Sequence, residues 1–199
     1  EVSELLFEGS HVVGIKTKSG NEWLSSAVVI TTGTFLKGVM HVGLSAAEGG
    51  RLGEKSSNHL STSLLRHFKL GRLKTGTPPR LHKDSIDYKQ LKLQPGDDEF
   101  LHFSFRTDFS DAYLNQIPCY STDTTEQTHQ IILKNLDRSP MFTNVIKGKG
   151  PRYCPSIEDK VNRFKDKNSH QIFIEPEGRQ SVSIYPQGLN TSLPQDVQL

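Results

Sequence analysis

The first thirty residues alternate apolar and polar positions in the way that is typical of β-strands. Val13, Ile15 and Thr17 share one face and alternate with lysines, and glycine-containing turns separate this run from its neighbours. Segment 4–31 is therefore predicted to be a β-meander. Its last part, 27–31, is apolar and β-branched without alternation, which predicts a strand buried on both faces.

Three later segments, 57–68, 124–136 and 156–164, carry the apolar spacing or the capping residues of helices. The residues expected to face inward are Leu60, Leu64 and Phe68 in the first and Thr128, Ile131, Ile132 and Leu136 in the second. Gly71 is expected in the left-handed conformation that ends the first helix.

Glycine and proline shape the connecting regions. Segment 37–53 holds five glycines and is predicted to be a loop. Segment 72–80 is basic, and two prolines stiffen one end of it. Segments 102–105 and 171–174 are predicted to be short strands.

Composition narrows the class of protein. The chain has 199 residues, 34% of them hydrophobic, with 24 Lys and Arg against 22 Asp and Glu. A net charge of +2 excludes a strongly basic nucleic-acid wrapper, and two cysteines exclude a disulfide scaffold. Neither a membrane span nor a secretory signal is apparent, so we expect no membrane contact and a cytoplasmic location. Both ends look cut, and we expect a fragment of a longer protein.

Cys154 has the most suggestive surroundings for chemistry. It precedes a predicted helix start at which Ser156 and Asp159 have the S-x-x-D spacing of a cap, and Arg152 and Lys160 lie nearby. Cations and exposed helix amides both favour a thiolate, which suits a nucleophile or a proton shuttle. The same amides would also suit a phosphate, and a structural cysteine remains an equal alternative.

Other candidate groups have weaker patterns. Cys119 is expected to be a half-buried structural thiol, although a redox pair with Cys154 stays open. Arg72, Lys74 and Arg80 suit a phosphate or nucleic acid but are more often a solvated loop. The eight histidines and the glutamates around Pro176 show no ligand or acid–base spacing, so no metal site is predicted.

Four stretches carry a resemblance to a known family. They are TGTFL at 32–36, GRLKTGTPPR at 71–80, GPRYCPSIEDK at 150–160 and HQIFIEPEG at 170–178. The chain resembles the middle of the MnmG/GidA family of FAD-dependent enzymes, which modify carbon 5 of wobble uridines in tRNA. The second and third stretches are long and compositionally unusual, so the resemblance is specific.

The resemblance implies a fold, a reaction and partners. The fold class is α/β, part of a two-dinucleotide-binding-domain flavoprotein with an inserted mixed α/β domain. Residues 1–76 would be part of the FAD-binding domain, and 77–199 the inserted, NADH-associated domain and the return toward the FAD domain. The family uses FAD and NADH, takes a one-carbon unit from methylenetetrahydrofolate, works with the GTPase MnmE on tRNA and forms homodimers.

The resemblance also implies site residues. Val2 and Ser57 match positions that contact FAD, and Cys154 matches a cysteine essential to the chemistry. Gly33, at the end of an apolar run, is a further place where backbone can approach a cofactor. The positions that match the nicotinamide-nucleotide segment are Gly150, Pro151, Arg152, Tyr153, Cys154, Pro155, Ser156, Ile157, Glu158, Asp159, Lys160, Val161, Asn162, Arg163 and Phe164.

Two positions depart from the family pattern, and two other functions stay open. Asp123 stands where the family usually has His, which removes any imidazole role there, and Asn190 replaces a usual Ser. The chain by itself could be a non-catalytic binding or dimerisation module. It could also be a relative of the folate-dependent tRNA methyltransferase, although the long stretch 78–149 argues against that smaller enzyme.

Overall fold

The computed structural model describes residues 1–99, 104–106, 116–148, 150 and 155–199. The strands in this part are β1 (Val2–Glu8), β2 (His11–Thr17), β3 (Glu22–Leu24), β4 (Val39–Val42), β5 (Ser45–Glu48), β6 (Leu81–His82), β7 (Lys92–Gln94), β8 (Cys119–Asp123), β9 (Gln171–Pro176) and β10 (Ser183–Gln187). The helices are α1 (Asn58–Leu65), α2 (Glu126–Lys134), α3 (Ile157–Arg163) and α4 (Gln195–Gln198). Groups of strands are thus separated by one or two helices in a mixed α/β arrangement.

The N-terminal unit is an antiparallel sheet in the order β1-β2-β3 with α1 packed on β1. Leu5, Leu60 and Leu64 form its buried core, which confirms the paired strands of the meander and the inward positions of Leu60 and Leu64. The prediction for Phe68 was wrong, because this residue lies beyond the end of the helix and is 50% exposed. The helix ends at Leu65, earlier than expected, and Gly71 does not have a positive φ. The prediction for Gly71 was wrong because the chain has already left the helix before it reaches this residue.

The predicted strand at 27–31 was wrong. These residues are in no strand, and Val29 and Ile30 are 85% and 42% exposed. A β-branched run becomes a strand only when another strand satisfies its backbone hydrogen bonds. Within the described part of the chain, nothing pairs with this run.

Segment 37–53 is not a simple loop, because β4 and β5 pair within it as an antiparallel hairpin. Gly43 lies in the turn of the hairpin and its amide donates to the carbonyl of Ser192 at 2.9 Å. The glycine-rich sequence concealed this hairpin because Ala46 and Ala47 are weak strand formers. The hairpin consequently lies against the C-terminal end of the chain.

The second unit is an antiparallel sheet of five strands in the order β6-β10-β9-β8-β7. Ile172, Ile174 and Ile184 are buried together on one face, so the strand predicted at 171–174 is confirmed within β9. The strand predicted at 102–105 lies largely outside the described residues, and Ser104 and Phe105 are in no strand.

Helices α2 and α3 pack against the last residues of the chain. Their shared core contains Ile132, Ile157, Val161 and Leu193. Thr128 closes a capping box with Thr125 at the start of α2, and Ile131 is exposed, so two of the four inward residues predicted for this helix were wrong. The buried face of α2 runs through His129 and Ile132, and Ile131 is turned by about 100° from Ile132 around the helix axis, so it points away from the core.

Candidate functional site

The two most distinctive sequence motifs lie side by side. A Cβ added at Gly148 would lie 2.8 Å from the carbonyl oxygen of Arg72, and one added at Gly150 would lie 3.9 Å from that of Lys74. The Lys74 Nζ donates to the carbonyl of Met141 at 3.0 Å. Segment 72–76 therefore runs along the chain that leads into the Cys154 motif.

A third segment, 190–192, joins these two. The Asn190 side-chain amide donates to the carbonyl of Gly76 at 2.9 Å, and the Asn190 carbonyl accepts from the amide of Ile157 at 2.7 Å. Gly76 permits this approach, because a Cβ there would lie 2.9 Å from the Thr191 nitrogen. Asn190, the departure from the family pattern, thus connects both motifs. We call the meeting of residues 72–76, 148, 150, 155–157 and 190–192 the three-segment site.

Helix α3 begins in this site as the sequence predicted. The Ser156 hydroxyl accepts from the amide of Asp159 at 3.2 Å, which is an N-cap hydrogen bond. Glu158 and Asp159 occupy the first turn, and Asp159 lies 3.7 Å from Arg163. The favourable placement of acids near the positive end of the helix stabilises α3.

In the segment 150–164, which matches the nicotinamide-nucleotide segment of the family, some of the described residues are buried and others are exposed. Ser156, Ile157, Glu158 and Val161 are buried, whereas Pro155, Asp159, Lys160 and Asn162 are half-buried and Gly150, Arg163 and Phe164 are exposed. Pro151, Arg152, Tyr153 and Cys154 lie outside the described residues. The surface members are the ones that a ligand could reach in this structure.

The basic residues of segment 72–80 make internal contacts. Arg72 donates to the carbonyl of Lys37 at 2.9 Å, and Arg80 donates to Glu177 at 2.6 Å while lying 4.4 Å from the centre of the Tyr185 ring. Together with the Lys74 contact above, these bonds connect separate parts of the fold. The structure therefore uses this run to hold segments together, while Arg72 and Arg80 stay exposed to solvent as the solvated-loop interpretation expected.

Val2 and Ser57, which match FAD positions, and Gly33, the further candidate for cofactor contact, all belong to the N-terminal part of the chain. Val2 and Leu36 both pack on the core of α1, and the amide of Ser57 donates to the Phe35 carbonyl at 2.8 Å. Gly33 has φ +55°, and an added Cβ would meet nothing within 4 Å. Open space beside a left-handed glycine fits the close approach of a dinucleotide.

Cys119 is half-buried at the start of β8. Burial raises the pKa of its thiol, and the Glu175 carboxylate raises it further. Burial likewise raises the pKa of Glu175 itself. Both effects favour the neutral thiol, so Cys119 is a poor nucleophile, in keeping with the structural role expected from the sequence.

A buried polar cluster escaped the sequence analysis. The Glu158 carboxylate accepts hydrogen bonds from Thr191 and Ser192, and the hydroxyl of Ser139 lies beside it. These residues are separated by up to 53 positions along the chain, counted between Ser139 and Ser192. Because its members are distant in sequence, no local pattern of residues could have predicted this cluster.

The described part of the chain contains neither a cluster of metal ligands nor a helix that could span a membrane. No group of three His, Cys, Asp or Glu side chains is placed to hold a metal ion. Among the helices of residues 1–99, 116–148 and 155–199, none is long and apolar enough to cross a membrane.

The fold and the three-segment site define a mixed α/β protein with a loop-built site, in which two glycine-containing motifs meet beside a short capped helix. The whole chain, residues 1–199, matches the sequence model of the family described as Glucose inhibited division protein A. The chain belongs to this GidA family, and its α/β fold class is the one expected from the sequence.

Relatives with known names and structures agree with this assignment. The chain is 52% identical to the tRNA uridine 5-carboxymethylaminomethyl modification enzyme MnmG of Geotalea uraniireducens and 53% identical to that of Geobacter sulfurreducens. All of this chain is matched, but only 32% and 31% of those relatives. GidA of Aquifex aeolicus superposes with a TM-score of 0.82 at 48% identity, covering 100% of this chain and 34% of that structure. The chain thus spans about a third of the length of these relatives.

Proposed function

We propose that this chain is the central part of a cytoplasmic flavin-dependent enzyme that adds a carboxymethylaminomethyl or aminomethyl group to carbon 5 of wobble uridine in tRNA. The observation that carries this proposal is the match of the whole chain to MnmG relatives at 52–53% identity. In that enzyme FAD and NADH supply the redox chemistry and methylenetetrahydrofolate the one-carbon unit. The GTPase MnmE is the partner protein, and the enzyme is a homodimer.

We infer that the two units have different roles in the enzyme. Residues 1–76 contribute to the FAD-binding domain, through Val2, Gly33 and Ser57. Residues 77–199 form the inserted domain, and their last residues return to the first unit. The hydrogen bond from Gly43 in the hairpin to Ser192 supports such a return.

NADH would lie along the accessible part of the matched segment. Lys160 is half-buried and Arg163 exposed on α3, and cations of this kind bind the phosphates of a dinucleotide. We assign the buried residues Ile157, Glu158 and Val161 to holding the helix in place.

We assign Cys154 the chemical role. Its thiolate sulfur would form a bond to carbon 6 of the uridine, and the electron pair of the 5,6 double bond would make carbon 5 nucleophilic. After carbon 5 has gained its substituent and lost its proton, the sulfur–carbon bond breaks and the thiolate leaves. The sequence also left open that the Cys154 thiol transfers a proton instead, and this alternative depends on the same residue.

The test replaces the matching third of the Geobacter sulfurreducens relative with this chain. Cys154→Ser is expected to abolish modification, measured by mass spectrometry of tRNA nucleosides, while FAD absorbance stays unchanged. Cys119→Ser is the matched control and should retain modification, because a neutral, half-buried thiol contributes no nucleophile. Full modification by the Cys154→Ser protein would refute the role of this thiol.

A further inference from the structure

Glu158 is a fully buried acid in the first turn of α3. Its Oε1 accepts from the Thr191 hydroxyl at 2.9 Å and from the Ser192 amide at 3.0 Å, and the Ser139 hydroxyl lies at 3.5 Å. Its Oε2 is buried and has no hydrogen-bond partner among the described residues. We call Glu158, Ser139, Thr191 and Ser192 the Glu158 cluster.

The cluster connects three separate parts of the chain. Ser139 follows α2, Glu158 belongs to α3, and Thr191 and Ser192 belong to the three-segment site. The hydroxyls of Ser139 and Ser192 lie 3.1 Å apart, which closes the cluster on the side opposite the helix. A single carboxylate oxygen therefore fixes where the first turn of α3 lies relative to its two neighbours.

Stability alone explains this arrangement poorly. Removing a carboxylate from water is unfavourable, and a well-packed apolar residue is often as stable in such a position. An oxygen that is buried without a partner adds to the unfavourable energy. A buried acid at this position is better explained by the need to hold the first turn of α3 in one place.

The position of the cluster indicates what it orients. The residue before Glu158 donates its amide to Asn190, which also holds Gly76. Cys154 is four residues before Glu158 in the sequence. Any rotation of the first turn of α3 would therefore displace Ser156, the N-cap residue of the helix, which is two positions after Cys154 in the sequence.

We propose that Glu158 is a positioning residue, which fixes the first turn of α3 through its hydrogen bonds to Thr191, Ser192 and Ser139. Through this turn it acts on Cys154, which is four positions earlier in the sequence. This inference rests on the function proposed for Cys154. Glu158 touches no substrate in this role, because its side chain is buried within the protein. Its contribution is to hold the first turn of α3 in one orientation.

The experiment compares Glu158→Gln and Glu158→Leu in the chimeric enzyme described above. Gln keeps a carbonyl oxygen that can accept from Thr191 and Ser192, whereas Leu removes the acceptor. Glu177→Leu is the control, since Glu177 is a surface acid that pairs with Arg80 at another place in the fold. The measurements are kcat and KM for tRNA modification, FAD absorbance, and the rate at which iodoacetamide alkylates the peptide containing Cys154.

Glu158→Leu is expected to retain FAD, to change the alkylation rate of Cys154, and to lower kcat/KM by up to about a hundredfold, as small displacements of reacting groups do. Glu158→Gln should restore both values to within about threefold, because the acceptor is kept. The control should alter neither. A Leu protein that binds FAD and keeps wild-type alkylation and kcat/KM would overturn the proposal.

Two outcomes separate this inference from the proposed function. If Glu158→Leu does not fold, Ser139→Ala removes one hydroxyl of the cluster and should give a smaller change in the same two measurements; no change would overturn the inference. If Cys154→Ser is active, the catalytic assignment fails. The alkylation rate at Cys154 still reports whether Glu158 orients the segment.

Discussion

Thr191→Val is expected to be one of the most destabilising single-atom changes in the second unit. The Thr191 hydroxyl donates to Glu158 at 2.9 Å and accepts from the amide of Leu193 at 3.1 Å, in a buried environment. Losing a hydrogen bond to a charged group costs about 1.5–3 kcal/mol, and leaving a buried amide unpaired costs about 1–3 kcal/mol more. Val has nearly the shape of Thr, so no cavity forms.

The two effects together lower the free energy of unfolding by roughly 4 kcal/mol. For a chain of this size, such a loss lowers the melting temperature by about 10 °C. Urea unfolding followed by circular dichroism gives the free energy, and hydrogen exchange at the amides of Ser192 and Leu193 reports the local opening.

Two control variants make this prediction specific. Thr191→Ser keeps both hydrogen bonds and should cost only about 1 kcal/mol for the lost methyl group. Thr62→Val removes an exposed hydroxyl that bonds the Asn58 carbonyl on α1, and it should stay within about 0.5 kcal/mol of the wild type. If Thr191→Val were no less stable than Thr191→Ser, the Glu158 cluster would not be hydrogen-bonded as described.

Two other predictions concern the sheet of five strands. Ile172→Ala should lower the free energy of unfolding by about 2–5 kcal/mol by leaving a cavity, whereas Leu73→Ala, at a side chain that is 75% exposed, should have almost no effect in the same urea titration. Hydrogen bonds from Ser183 and Arg80 lower the pKa of Glu177, so its contribution is present above the ordinary pKa of a glutamate and is lost as the pH falls through the lowered value. Glu177→Gln should therefore be less stable than the wild type at pH 7. The difference should be no more than about 1 kcal/mol, because the ion pair is partly exposed. A stability difference that persists in acid would contradict this ion pair.

The local parts of the fold could be read from the sequence. The meander, α1 and the cap of α3 depend on neighbouring residues, as the hydrogen bond from Asp159 to Ser156 shows. Predictions failed where the outcome depends on distant partners. The run at 27–31 has strand-forming residues, but no strand among the described residues lies beside it. The hairpin at 39–48 forms from residues with weak strand preference.

The same distinction applies to the candidate site. The sequence singled out Cys154 and the basic run 72–80 as separate features. It could not show that Arg72, Lys74 and Arg80 would bind carbonyls and a carboxylate within the protein, because their partners lie 35, 67 and 97 residues away. Charge in a sequence indicates what a residue can bind, and the fold decides which partner it meets.

These contacts share one consequence, which is that polar bonds hold described residues on both sides of Cys154 in the sequence, Met141 before it and Ile157 and Glu158 after it. Lys74 holds the region before it, Asn190 holds the start of α3 on the other side, and Glu158 fixes the first turn of that helix. A reactive thiol gains little from a nearby charge unless its distance to the substrate is also controlled. The internal use of the basic residues therefore fits a site in which orientation comes from the scaffold, so substitutions at Lys74 or Asn190 should alter catalysis through geometry.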